Sequence, residues 1–265
     1  VVTGSGNAGL GKDTFYSLTS GSANTCIGQG AGYSLTTGGS NVAIGVTALQ
    51  TATTTSFNTA VGHDALRYTT SGTSNTAIGA NALDANIDGD YNVAIGKDAL
   101  TALTTNNYNV AVGYTALEDC TTGSENTCVG RWAGRNITTG SNNTFYGMGA
   151  GSGSTTTSSN TAIGFSAMQD GTNTGTGNTA IGQGTLQSLT SGYGNTALGK
   201  FAMNDVTEGF DNTALGQLSL DVLTTGDHNT AVGSNALSAN TTGEENTAVG
   251  DGAGITVTTG SQNTL

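Results

Sequence analysis

Proline is absent from all 265 residues. Its ring removes the N–H that a hydrogen-bonded ladder needs, so the absence fits a chain paired along most of its length. Charge is sparse, at 9% of residues, and what there is leans acidic, with a net charge of −12. That balance disfavours nucleic acid and anionic membrane surfaces as partners. No apolar run approaches the roughly 18 residues that suggest a membrane-spanning helix, and no secretory leader is visible. Histidine is nearly missing: His63 and His228 stand far apart and support neither a catalytic triad nor a zinc site. Cys26, Cys120 and Cys128 do not make a disulfide framework, and no Cys-x-x-Cys pair marks a metal or redox site.

What remains is glycine, threonine, asparagine and alanine in a fixed order. The phrase Asn-Thr-Ala-Ile-Gly, or a close variant, begins at Asn7 and returns every 17 residues to Asn263, with one interval of 18 between Asn160 and Asn178. A period this strict means one short unit stacked on itself. Apolar residues hold their phase throughout, which a disordered linker has no reason to do. Counted from the asparagine, the consensus is Asn-Thr-Ala-Ile-Gly-x-x-Ala-Leu-x-x-x-Thr-Thr-Gly-x-x. Seventeen residues are too few for two helices and a turn. They suit one turn of an all-β, parallel β-solenoid or β-roll, with two short strands and two tight corners. Residues 1–265 are read as a single array of about 15 coils spanning roughly 70 Å. The chain opens without Met and stops three residues into a repeat, at Leu265, which suggests a piece of a longer fibre.

Each place in the repeat carries an expectation. The fifth is glycine throughout (Gly45, Gly62, Gly79, Gly96, Gly113), which implies positive φ or a backbone approach too close for a Cβ. The fifteenth is mostly glycine, with Asn106 once and Thr55 and Thr157 as exceptions, and reads as a left-handed corner. The extra residue of the long repeat is expected in that corner, within 172–177. The fourth place (Ile44, Ile78, Leu198) and the ninth (Leu49, Leu66, Leu100) look like the core ladders, although the ninth is interrupted by Gly32, Gly134, Gly151 and Gly254. The asparagines, among them Asn41, Asn58, Asn75, Asn92 and Asn109, form a second ladder. Their side chains can bond along the axis or close a turn onto their own backbone.

The third place is never polar, and reads Ala43, Ala60, Ala77, Ala94 and Ala111 in successive coils. Strand alternation sets it opposite the fourth place. If the fourth place fills the coil, the alanines face outward and need a neighbour, and the thin core argues the same way. A parallel homo-oligomer with the alanine row near its axis is therefore expected. No cofactor and no metal is implied: Asp84, Asp88 and Asp90 lack the ligand spacing and closing Glu of a calcium loop. The carboxylates Glu244, Glu245 and Asp251 sit at corners with nothing recurring around them, and enzyme activity is not expected. Variable aromatics at the corners, Phe57, Tyr91, Tyr108 and Trp132, are the candidates for surface recognition of glycan or protein. A third possibility is ice binding through the threonine rows at places thirteen and fourteen.

The phrase Asn-Thr-Ala-Ile-Gly, followed by Ala-Leu and Thr-Thr-Gly, resembles repeats of bacteriophage tail-fibre shafts. The Ala-Ile-Gly core is also similar to the YadA-like head repeat of trimeric autotransporter adhesins, whose coil is shorter. The resemblance covers nearly the whole chain. It implies a homotrimeric fibre on a virion or cell surface, outside the cell, in which a rod extends a receptor-binding tip. It says little about the receptor.

Overall fold

The computed structural model describes residues 3–170 and 172–265, and residues 1, 2 and 171 of the expected array lie outside the described residues. The chain divides into two units, Val1–Arg131 and Trp132–Leu265. Each is a stack of coils with one short parallel strand per coil, at places two to four. The strands run from Ala8–Leu10 to Thr127–Val129 in the first unit and from Thr144–Tyr146 to Thr247–Val249 in the second. Register is strict: Val42 pairs with Thr59, Ala43 with Ala60 and Ile44 with Val61, and the pattern repeats from coil to coil. The Val42 N–H donates to the Asn58 carbonyl of the next coil, and the Gly45 N–H to the Ile27 carbonyl of the previous one, both at 2.8 Å. Each coil is thus tied in both directions, which is why proline has no place here.

Among the described residues the expected second strand does not form. Places six to eleven turn back through alternating backbone conformations, with left-handed φ at places seven and nine: 58° at Thr47 and 53° at Leu49. This alternation sends the Thr47 N–H to Gln29 of the coil before (2.9 Å) and the Leu49 N–H to Ala65 of the coil after (3.0 Å). A left-handed non-glycine residue costs on the order of 1–3 kcal/mol and persists only where its surroundings over-determine it. Here the two flanking coils do so.

The interior differs from the expectation in one respect. The third-place alanines Ala43, Ala60, Ala77, Ala94 and Ala111 are 0% exposed within their own chain, so they do not form an oligomer face. They pack inward with the eighth-place alanines, the ninth-place leucines and a twelfth-place row that includes Leu35, Leu103, Ile137 and Leu189. The fourth-place aliphatics point outward instead: Ile44 is 36% exposed and Leu198 49%. Alternation separates two faces; the thin coil then has room inside only for the smaller residue, because the ninth and twelfth places already fill it.

Two corners also differ in mechanism. Fifth-place glycines have φ between 135° and 142° from Gly45 to Gly113, and a Cβ on Gly182 would lie 2.6 Å from the Gly199 carbonyl oxygen. Both expected reasons hold there. The fifteenth-place glycines are not left-handed. They are small because the next coil is too close: a Cβ on Gly72 would lie 2.5 Å from the Gly89 carbonyl oxygen. The extra residue of the long repeat is not in this corner either. Pairing is regular through Asp170, whose N–H donates to Gln187 (2.8 Å), and resumes at Asn173, whose carbonyl accepts from Thr155 (3.1 Å). The extra residue is therefore taken up before the Gly175 corner, whose carbonyl accepts from Asn160 Nδ2 at 2.9 Å as in the other coils, and residue 171 of this stretch lies outside the described residues.

Candidate functional site

Three rows run along the coils, and their chemistry decides which could meet a partner. The asparagine row is buried and fully engaged. In Asn195 the backbone N–H donates to Asn178 Oδ1 at 3.0 Å. Its Nδ2 donates to Asn178 Oδ1 at 3.2 Å and to the Gly209 carbonyl, in the corner that leads into Asn212, at 2.7 Å. Its Oδ1 accepts from the Asn212 N–H at 3.0 Å. Asn41 does the same with Asn24, Thr55 and Asn58. The expected bonding along the axis is carried out by both, and the local closure onto neighbouring backbone is made at other positions, as where Asn229 Nδ2 donates to the Asp227 carbonyl at 3.2 Å.

The thirteenth-place threonines are also engaged. Thr36 Oγ1 donates to the Thr53 carbonyl at 2.9 Å, Thr190 to Thr207 at 2.9 Å and Thr224 to Thr241 at 3.0 Å. Each hydroxyl adds one bond between coils, so this row is part of the stacking.

The outward face of the strands is the third row. Places two and four present Thr or Val beside Ile, Val or Leu, with Ala8 and Tyr146 as exceptions, and neither place carries a charged residue in any coil. In a chain with a net charge of −12, that leaves an uncharged, half-apolar stripe on each unit. Lys12, Lys97 and Lys200 stand at the sixth place beside it. Lys97 contacts Asp98, and Lys200 Nζ lies 5.0 Å from the Phe201 ring centre.

The aromatic candidates do not gather into one site. Phe57 is 67% exposed at the seventeenth place. Tyr91 and Tyr108, also at the seventeenth place, stack with ring centres 5.4 Å apart and planes 4° from parallel, so each covers one face of the other. Ser74 separates Phe57 from this pair. Trp132 belongs to the second unit and sits at a seventh place with φ 63°. Two further stacks form, Tyr16 on Tyr33 at 4.8 Å and Tyr193 on Phe210 at 4.9 Å. Aromatics recurring 17 residues apart were the signal for them. Parallel stacking follows directly from in-register coils.

Titratable groups are dispersed. Asp90 Oδ1 accepts from the Thr73 N–H at 2.6 Å, a bond between coils. Burial raises the Asp84 carboxyl above its ordinary range, and the nearby Asp64 and Asp98 add to the shift. Burial also pushes the Cys26 thiol up to about 12 and the Cys120 thiol up to about 11. Neither thiol is set up as a nucleophile. Among the described residues no pocket opens and no group of three or more metal-ligating side chains gathers. No helix of the described residues is long and apolar enough to cross a membrane.

Comparison with known proteins finds no match to any family model, to any curated protein or to any solved structure.

Proposed function

We propose that this chain is the rod of a surface fibre, a tail-fibre or adhesin shaft outside the cell or on a virion, built from three parallel copies and extending a receptor-binding tip. One observation carries the reading: the coils spend their backbone and asparagine polar groups on their neighbours and, Ala8 and Tyr146 apart, present outward an uncharged Thr/Val and aliphatic pair. A repeated apolar stripe on an acidic chain favours association with like stripes, because the approaching faces carry no repelling charge. The resemblance of the Asn-Thr-Ala-Ile-Gly phrase to fibre-shaft repeats supports three copies. Relative to the sequence expectation, the axis moves from the alanine row to the fourth-place row.

The test is mass in solution by light scattering, with two variants. Wild-type protein gives the mass of three chains. Ile95→Glu, on the outward stripe, leaves each coil folded and yields single chains. Ala94→Glu, one residue earlier but buried, unfolds the coil, so circular dichroism separates the two. Wild type at the mass of one chain would end the three-copy reading.

A second reading, recognition of glycan or protein by the rod surface, is favoured by the exposure of Phe57 and of the Tyr91–Tyr108 stack. Loss of glycan-array binding in Phe57→Ala and Tyr91→Ala would support it.

A further inference from the structure

A stripe that repeats at every coil has a weakness as an interface: shifting one copy along another by one coil, about 4.8 Å, restores nearly the same contacts. Repetitive strands specify register weakly for this reason. Something that does not repeat must break the degeneracy. The second unit contains one such feature, in two adjacent coils. Tyr146 replaces the usual aliphatic at the fourth place and is 58% exposed. It pairs in register with Ile163 of the next strand. Beside them at the sixth place stand Met148 and Phe165, the latter 49% exposed, held together by the Ser166 N–H donating to the Met148 carbonyl at 3.0 Å. The sixth place of the following coils is Gln183, Lys200, Gln217 and Ser234. Four large apolar side chains therefore widen the stripe at this point, and the coils that follow narrow it again.

We propose that Tyr146, Met148, Ile163 and Phe165 form the contact by which copies of this chain fix their axial register. This rests on the assembly reading above and adds which residues align the copies. The occupant is a second copy of the same chain. The patch continues an uncharged stripe on an otherwise acidic molecule, and on an aligned neighbour the surface at the same height is the same patch. Large aromatic and Met side chains clustered in one place also have the composition of an interface hot spot. Aligned copies bury the four side chains against one another, whereas a one-coil slip sets Phe165 against Gln183.

The experiment uses the whole chain carrying single cysteines at adjacent fourth places, Leu198→Cys or Leu215→Cys, which pair in register within the chain. The two variants are co-expressed and oxidised, and the native cysteines are buried and do not interfere. Aligned copies give disulfides only between like positions; a one-coil slip joins Leu198→Cys to Leu215→Cys, since a disulfide requires Cα atoms within about 7 Å. With the native patch the mixed disulfide is expected as a minor species. With Tyr146→Val, Met148→Ser and Phe165→Gln, residues found at the same places in other coils, it should rise to the abundance of the like pairs. A patch variant that assembles and still forms only like pairs overturns the register role and leaves the assembly reading intact. A native-patch protein that forms mixed pairs freely overturns it equally. A wild-type mass of one chain overturns both.

Discussion

The first coil and the ninth fill the same interior space in opposite ways. In the coil beginning at Asn7, the third place is Gly9 and the ninth is Phe15; a Cβ on Gly9 would come within 2.9 Å of the Phe15 ring. In the coil beginning at Asn143, the third place is Phe145 and the ninth is Gly151, and a Cβ on Gly151 would strike the Phe145 ring. Most coils take the middle course of Ala at three and Leu at nine. Cys26 with Gly32, where a Cβ would lie 2.7 Å from the Cys26 Sγ, is an intermediate case, and Cys128 with Gly134 repeats it in sequence. In these coils the two places share one volume, and a gain at one is matched by a loss at the other. Glycine at nine also removes the left-handed strain that leucine bears there: φ is 62° at Gly151 and 52° at Leu100. The ninth coil thus exchanges a strained leucine for a relaxed glycine and recovers the core volume from across the coil.

The sharpest way to break this comparison is to remove the ring. Phe145→Ala leaves a cavity beneath a glycine and should destabilise the second unit by about 3–5 kcal/mol in urea unfolding. Gly151→Leu alone overpacks the site and should cost about 1–3 kcal/mol. The double variant restores the Ala–Leu pairing of most coils and should recover much of the loss, which a double-mutant cycle reads as coupling. Additive effects would mean that the two places do not share a volume.

The asparagine ladder is indifferent to this exchange and sets a baseline for it. Asn41→Ala and Asn195→Ala each strand a buried corner carbonyl and a buried N–H, and should cost alike, about 1–3 kcal/mol. Unequal losses in urea melts would show that the ladder depends on local core filling.

The smallest effect belongs to the surface. Burial raises the Asp84 carboxyl pKa, so the folded state holds its proton longer than the unfolded state does. Stability is therefore full below the unfolded value of about 3.9 and falls as pH rises through the folded one. Asp84→Asn should raise the melting temperature slightly at pH 7 and not at pH 3. A gain of equal size at both would assign the effect to packing.

The period, the parallel stacking, the asparagine ladder and the glycines of the fifth place were all legible from spacing. Each depends only on like residues lying over like. The twelfth-place core row was missed because it mixes Leu35, Ala52, Thr69 and Asn86, and a mixed row has no consensus letter. The left-handed ninth place was hidden by leucine, a bulky residue uncommon at positive φ. Its signal was the recurring glycine at the same place, and at the seventh place Asp64, Asn81 and Asp98, residue types that tolerate this conformation.

By itself the sequence determined that residues 17 apart share an environment, because a strict repeat admits only one stacked answer. Which side of each strand faces inward was decided only in three dimensions. Alternation divides Ala94 from Ile95 but assigns neither to the interior. The assignment came from the closure of the coil, whose left-handed turn brings the ninth- and twelfth-place side chains against the strand and leaves space there for a methyl group and not for an isoleucine.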